Sequence, residues 1–70
     1  MDWIEFDSHD ICRAKYENGT LYISFSQGDT YAYYDVPSAI FQELVLAEDK
    51  RAFLNAHIRW RFRYQKQLFD

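Results

Sequence analysis

The sequence predicts a small α+β domain, an antiparallel meander of three to four strands carrying one amphipathic helix, a short second helix and a C-terminal extended segment. Three observations predict it: Asn18-Gly19 lies between two alternating runs, a run of β-favouring residues ends at Pro37, and the stretch behind Pro37 changes to helical spacing. The 70 residues suffice for one domain, spanning 1–70. A domain of that size removes only about 60% of its unfolded surface from water. Six Phe, six Tyr and two Trp therefore have a first use as core filler, because large rings bury much area and lose few rotatable bonds.

The firmest local signal is Glu17-Asn18-Gly19-Thr20, since Asn-Gly takes the positive φ values needed at both centres of a type I′ hairpin turn. Pairing Glu17 with Thr20 sets Tyr16 opposite Leu21, Ala14 opposite Ile23 and Cys12 opposite Phe25 on an apolar face. Lys15, Arg13 and Ile11 then face Tyr22, Ser24 and Ser26 on a mostly polar one. A second turn at Gln27-Gly28-Asp29 leads into the β-rich run Thr30-Tyr31-Ala32-Tyr33-Tyr34. A further short strand from Trp3 to Asp7 fits a roughly alternating pattern.

Pro37 holds Val36 extended and suits the start of a helix, where a missing N–H is harmless. Ile40, Phe41, Leu44 and Val45 fall on one helical stripe, and a second short helix from about Asp49 to Ile58 turns Phe53, Leu54 and Ile58 inward. The tail Ile58-Arg59-Trp60-Arg61-Phe62-Arg63-Tyr64 alternates strictly and reads as a strand with three arginines on one side. A continued helix competes with it, because Leu54, Ile58 and Phe62 recur every fourth residue.

The formal net charge is -3 but unevenly spread: residues 1–49 hold ten acids against Arg13 and Lys15, whereas residues 50–70 hold six bases against Asp70. Such asymmetry marks either a basic tail that meets an acidic partner or two segments that attract each other within one fold. The single cysteine, Cys12, forbids an intrachain disulfide and makes a reducing, cytoplasmic setting the expectation. The acidic, interrupted N-terminal stretch lacks the basic and apolar regions of a signal peptide, and no run has the length of a membrane span.

Several spaced features together resemble the KTSC domain family. They are Ser8 with Ile11, Ala14 and Tyr16; Phe25-x-x-Gly28-x-x-Tyr31-x-Tyr33; Val36-Pro37; and Phe53-x-Asn55-x-x-Ile58-Arg59, with Tyr64 behind. The resemblance runs from about Ser8 to Lys66, and the Tyr-x-Tyr followed by Val-Pro is its most specific part. The family takes its name from a place at the C-terminus of some lysyl-tRNA synthetases and has free-standing bacterial members, so the resemblance implies an accessory RNA-binding role. Trp60, Phe62 and Arg63 make this tail more aromatic than the family pattern, and Glu48-Asp49-Lys50-Arg51 stands where members often carry Ser and Gly.

Two groups of residues carry the expected RNA contact. Tyr31 and Tyr33 face outward beside Tyr22 and Arg13 if the preceding loop has two residues, where they would stack bases; with three residues they face the core. Arg59, Arg61 and Arg63 on one strand face stand roughly 7 Å apart and, with Lys66, meet successive phosphates. A solvated, edge-protecting row of charges is the plainer reading of the same arginines. Asn55 has the simpler task of bonding a helix end or a neighbouring backbone group.

No metal, cofactor or catalytic site is expected. His9-x-x-Cys12 with His57 lacks a recognisable zinc spacing, adjacent Ser8 and His9 point to opposite faces, and Gly19 and Gly28 are both used in turns. The contending function is a protein-interaction module, in which the aromatic tail adds to a partner's sheet or the chain forms a homodimer.

Overall fold

Asn18 and Gly19 take φ values of 51° and 79°, so the turn has the mirror-image geometry its sequence demands and the hairpin around it keeps the expected pairing of Glu17 with Thr20. In the computed structural model, which describes residues 3–67, the chain runs β1 (Ile4–Glu5), β2 (Ile11–Glu17), β3 (Thr20–Phe25), β4 (Thr30–Tyr33), α1 (Ser38–Leu46), α2 (Lys50–His57) and β5 (Tyr64–Gln67). The strands form one antiparallel sheet in sequence order, β1 to β5. Five strands thus replace the expected three to four, because both the N-terminal strand and the end of the tail join the meander. A Cβ on Gly19 would meet nothing within 4 Å, so only backbone strain opposes it there. Gly19→Ala is accordingly expected to lower stability by about 1–2 kcal/mol, read as a lower urea midpoint at unchanged slope.

The hairpin departs from its simple register at one point. Ile11 pairs with Phe25 and Arg13 with Ser24, leaving Cys12 as the extra residue of a β-bulge. The bulge exchanges the two faces: Ile11 is wholly buried, and Cys12, expected toward the core, is exposed. Apolar area explains the exchange, since burying an isoleucine is worth about 1.5–3 kcal/mol and an unbulged register would have buried the smaller thiol instead.

The connection between β3 and β4 decides which way the tyrosines point. Phe25 N–H donates to Asp29 C=O at 2.8 Å and Gly28 N–H to Phe25 C=O at 2.9 Å, closing a three-residue loop whose last member, Gly28, has φ 107°. Leu21 then opposes Tyr33 and Ile23 opposes Tyr31, on the face the helices cover. The outward orientation beside Tyr22 and Arg13 is excluded.

Both helices lie on that face. Phe41 and Leu44 from α1 and Leu54 and Ile58 beside α2 meet Ile11, Ala14, Leu21, Ile23 and Tyr33 from the sheet. Pro37 stands at the N-cap of α1, and Val36 is pinned from two sides: its N–H donates to Gly19 C=O, and its C=O accepts from the Tyr16 hydroxyl. The charged Glu48-to-Arg51 joint has local work. The Asp49 carboxylate caps α2 by accepting from Ala52 N–H at 3.0 Å, while Lys50 Nζ donates to the last carbonyls of α1, Val45 at 3.0 Å and Ala47 at 2.7 Å.

The tail is neither the strand expected from Ile58 nor a continuation of α2. Ile58 and Arg59 both donate to Leu54 C=O, and Arg61 and Phe62 both donate to Ile58 C=O, so two successive turns reverse the chain after His57. The reason is positional. A helix packed over the sheet ends one layer away from β4, and the chain must descend before it can pair. Pairing starts only where Tyr34 N–H reaches Arg63 C=O, and the ladder then matches Tyr33 with Tyr64 and Thr30 with Gln67. The fourfold spacing still places side chains, for Ile58 is wholly buried and Phe62 packs against the core. Arg59, Arg61 and Arg63 therefore share no strand face.

Candidate functional site

Three tyrosines form the floor of a cleft between the sheet and α2. Tyr33 and Tyr64 are cross-strand partners, and Tyr31 lies two residues along β4 on the same face. Their ring centroids are 5.6 Å apart for Tyr33 and Tyr64, 5.7 Å for Tyr31 and Tyr64, and 6.5 Å for Tyr31 and Tyr33, with the edge of Phe25 against Tyr31. Rings this close touch one another, so a planar ligand would lie on the floor rather than between its members.

The walls come from elements brought in by the turns just described. One turn of α2 supplies Arg51, Leu54 and Asn55, the reversal after it supplies Arg59, and Asp10 with Ser26, Gln27 and Asp29 closes the other side around about 250 Å³. Arg51 meets Asp10 at 3.4 Å and Lys66 meets Asp29 at 3.4 Å, both in half-exposed pairs worth about 0–1 kcal/mol each. Arg59 donates to Asn55 Oδ1 at 3.5 Å, a long contact that leaves the guanidinium adaptable. Among the described residues neither Arg59 nor Arg61 has a carboxylate within 4.0 Å.

Burial pushes the Tyr33 phenol up to about 12, the nearby Arg59 guanidinium opposing the rise in part and Tyr31 and Tyr64 adding to it. The group is therefore neutral, with its proton available, throughout the physiological range. A phenol whose folded value lies above its unfolded value near 10 contributes stability that is complete below pH 10 and is lost as pH rises from 10 toward 12. Tyr33→Phe is expected to flatten that alkaline loss in a pH series of thermal melts; an unchanged alkaline slope would place the ring in water.

The six residues nominated for RNA contact are dispersed as well as gathered. Tyr31, Tyr33 and Arg59 meet in the cleft, and Lys66 borders it through Asp29. Arg61 is exposed on the reversal, outside the cleft lining. Arg63 turns away, its guanidinium 3.4 Å from Asp35 and 5.8 Å from the Tyr34 ring centre. Sequence reasoning missed Tyr64 and Arg51 as members of the site and gave Asn55 the task of bonding a helix end or a neighbouring backbone group, whereas its Oδ1 accepts from Arg59. Parity with Tyr33 would have found Tyr64, had the β4–β5 register been known. Among the described residues no group of three or more His, Cys, Asp or Glu is placed to hold a metal, and no helix is long and apolar enough to cross a membrane.

Fold and cleft together define a two-layer α+β domain with one aromatic-floored concavity at the sheet's β5 edge. The family model of the KTSC domain matches residues 4–62, and the chain belongs to the KTSC domain family. A crystal structure of the KTSC domain protein YPO2434 from Yersinia pestis superposes with a TM-score of 0.87 at 30% identity, covering 94% of this chain and 96% of that one. A protein from Tsukamurella paurometabola is 42% identical over 43 residues, which is 61% of this chain and 64% of that relative's length.

Proposed function

We propose that this domain is a non-enzymatic module that binds single-stranded RNA, in a cytoplasmic and accessory capacity. The observation that carries the reading is the convergence of the three-tyrosine floor with Arg59, a guanidinium free of any carboxylate among the described residues. A base lies flat on the exposed part of Tyr31 and Tyr64, stacking of this kind being worth about 1–3 kcal/mol per base and tolerant of sequence. Arg59 and Arg61 meet the phosphates, and Asn55 and the Tyr33 hydroxyl are within the same cleft to bond a base edge. The chain as a whole is acidic, so attraction is local to this edge.

One observation favours a protein partner instead: β5 is an outer strand of the sheet, with Tyr64 exposed upon it, so an extended segment or a second copy could add there. Salt separates the readings. Titration of fluorescein-labelled oligouridylate at 50 and 200 mM salt should show binding that weakens several-fold at the higher concentration. No binding at 50 mM would remove the RNA reading and leave strand addition.

A further inference from the structure

Trp60 is 78% exposed, although it sits in a chain that spends most of its rings on packing. Among the described residues it is not part of the core cluster, and the Arg59 guanidinium lies 5.2 Å from its ring centre. Arg59 is also a wall of the tyrosine cleft. The same arginine thus borders both aromatic surfaces, the floor of Tyr31 and Tyr64 and the ring of Trp60, with Arg61 next in the chain after Trp60. Neither arginine is occupied by a carboxylate among the described residues, whereas Arg63 and Lys66 further along the tail are.

We infer that Trp60 is a second stacking platform and that the site reads at least two consecutive nucleotides: one base on the tyrosine floor, the linking phosphate on Arg59, the next base on Trp60. This rests on the RNA-binding reading and adds a footprint and a polarity of contacts to it. The chemistry favours a nucleic acid over an apolar protein segment at Trp60, because the Arg59 guanidinium lies over the ring, and a purely apolar occupant would leave that charge facing a dry contact. A strand of alternating bases and phosphates satisfies rings and cations in the same alternation. An exposed tryptophan over an arginine also forfeits the apolar area it could have buried, which no requirement of the fold explains.

The test uses the Trp3→Phe variant, in which Trp60 is the only tryptophan, titrated at 50 mM salt with adenosine 5′-monophosphate, the dinucleotide ApA and a hexameric oligoadenylate. Quenching of Trp60 by ApA and the hexamer is expected, with dinucleotide affinity at least tenfold above that of the mononucleotide. With Trp60→Ala, hexamer affinity measured by a fluorescent label on the RNA should fall by roughly 5- to 150-fold, the range of one lost stack, while mononucleotide affinity holds. Hexamer binding that leaves Trp60 fluorescence and the Trp60→Ala affinity unchanged overturns the second platform and keeps the RNA-binding function. Absence of binding by all three probes overturns both.

Discussion

Ile58→Ala is expected to bring the domain close to unfolding. Ile58 is wholly buried, ends α2, and its carbonyl accepts both N–H groups of the reversal, from Arg61 at 3.1 Å and Phe62 at 3.3 Å. Truncating a buried isoleucine to alanine costs about 2–5 kcal/mol through lost transfer energy and the cavity left behind. A domain of this length has roughly 0.05–0.15 kcal/mol per residue in total, so the loss is of the same order as its whole stability. The melting temperature should fall by at least about 10 °C, and Ile58→Val, which removes one methyl, should fall by much less. Trp60→Ala, two residues away on the exposed side of the same turn, should leave the melting curve in place. Equal effects of the two alanine variants would contradict the packing described for this segment.

The second large effect separates the cations by their partners. Arg59→Gln combined with Arg61→Gln is expected to weaken binding of single-stranded RNA at least tenfold at 50 mM salt. The same pair should lower the slope of log affinity against log salt by about 1.4, two phosphate contacts at roughly 0.7 each. Arg63→Gln combined with Lys66→Gln removes the same formal charge, yet Arg63 already engages Asp35 and Lys66 already engages Asp29, each at 3.4 Å. Their acids are freed when the bases go, so some loss of affinity through local repulsion is expected, but little change in slope. Parallel salt titrations of the two double variants check this. Slopes that drop equally would mean that net charge, rather than the cleft, governs the interaction.

How far the sequence could be read depended on whether local chemistry or tertiary position decided the outcome. Asn18-Gly19 specifies its own turn, so the pairing of Tyr16 with Leu21 and Ala14 with Ile23 followed from four residues. The stripe behind Pro37 was equally legible, because helical periodicity is a local property. Cys12 was misplaced by a bulge that no nearby residue announces: its cause is the area gained by burying Ile11, which requires the opposing layer to be known.

The tail failed for a related reason. Period two and period four coincide over Ile58, Phe62 and their arginine neighbours, and the chain satisfies both in part, four-residue spacing for the buried side chains and extended pairing only from Tyr64. The row of three arginines was an artefact of reading one period through a reversal. In the site, Tyr31, Tyr33 and Arg59 were legible as residue types, and their orientation hung on a single count, the three residues of the loop after Phe25. Tyr64 and Arg51 were not legible, since each enters the cleft through a strand register or helix placement set at long range.

In the proposed function RNA is taken up on the helix side of the sheet, at the tyrosine floor beside Arg59. Chemical-shift mapping of the aromatic ring and arginine side-chain signals during titration with hexameric oligoadenylate tests it most directly. The largest shifts are expected at Tyr31, Tyr64, Arg59 and Trp60, with Trp3, Tyr22 and Arg13 on the opposite face of the sheet unmoved. Shifts concentrated on Trp3, Tyr22 and Arg13, or none at any ring, would contradict it.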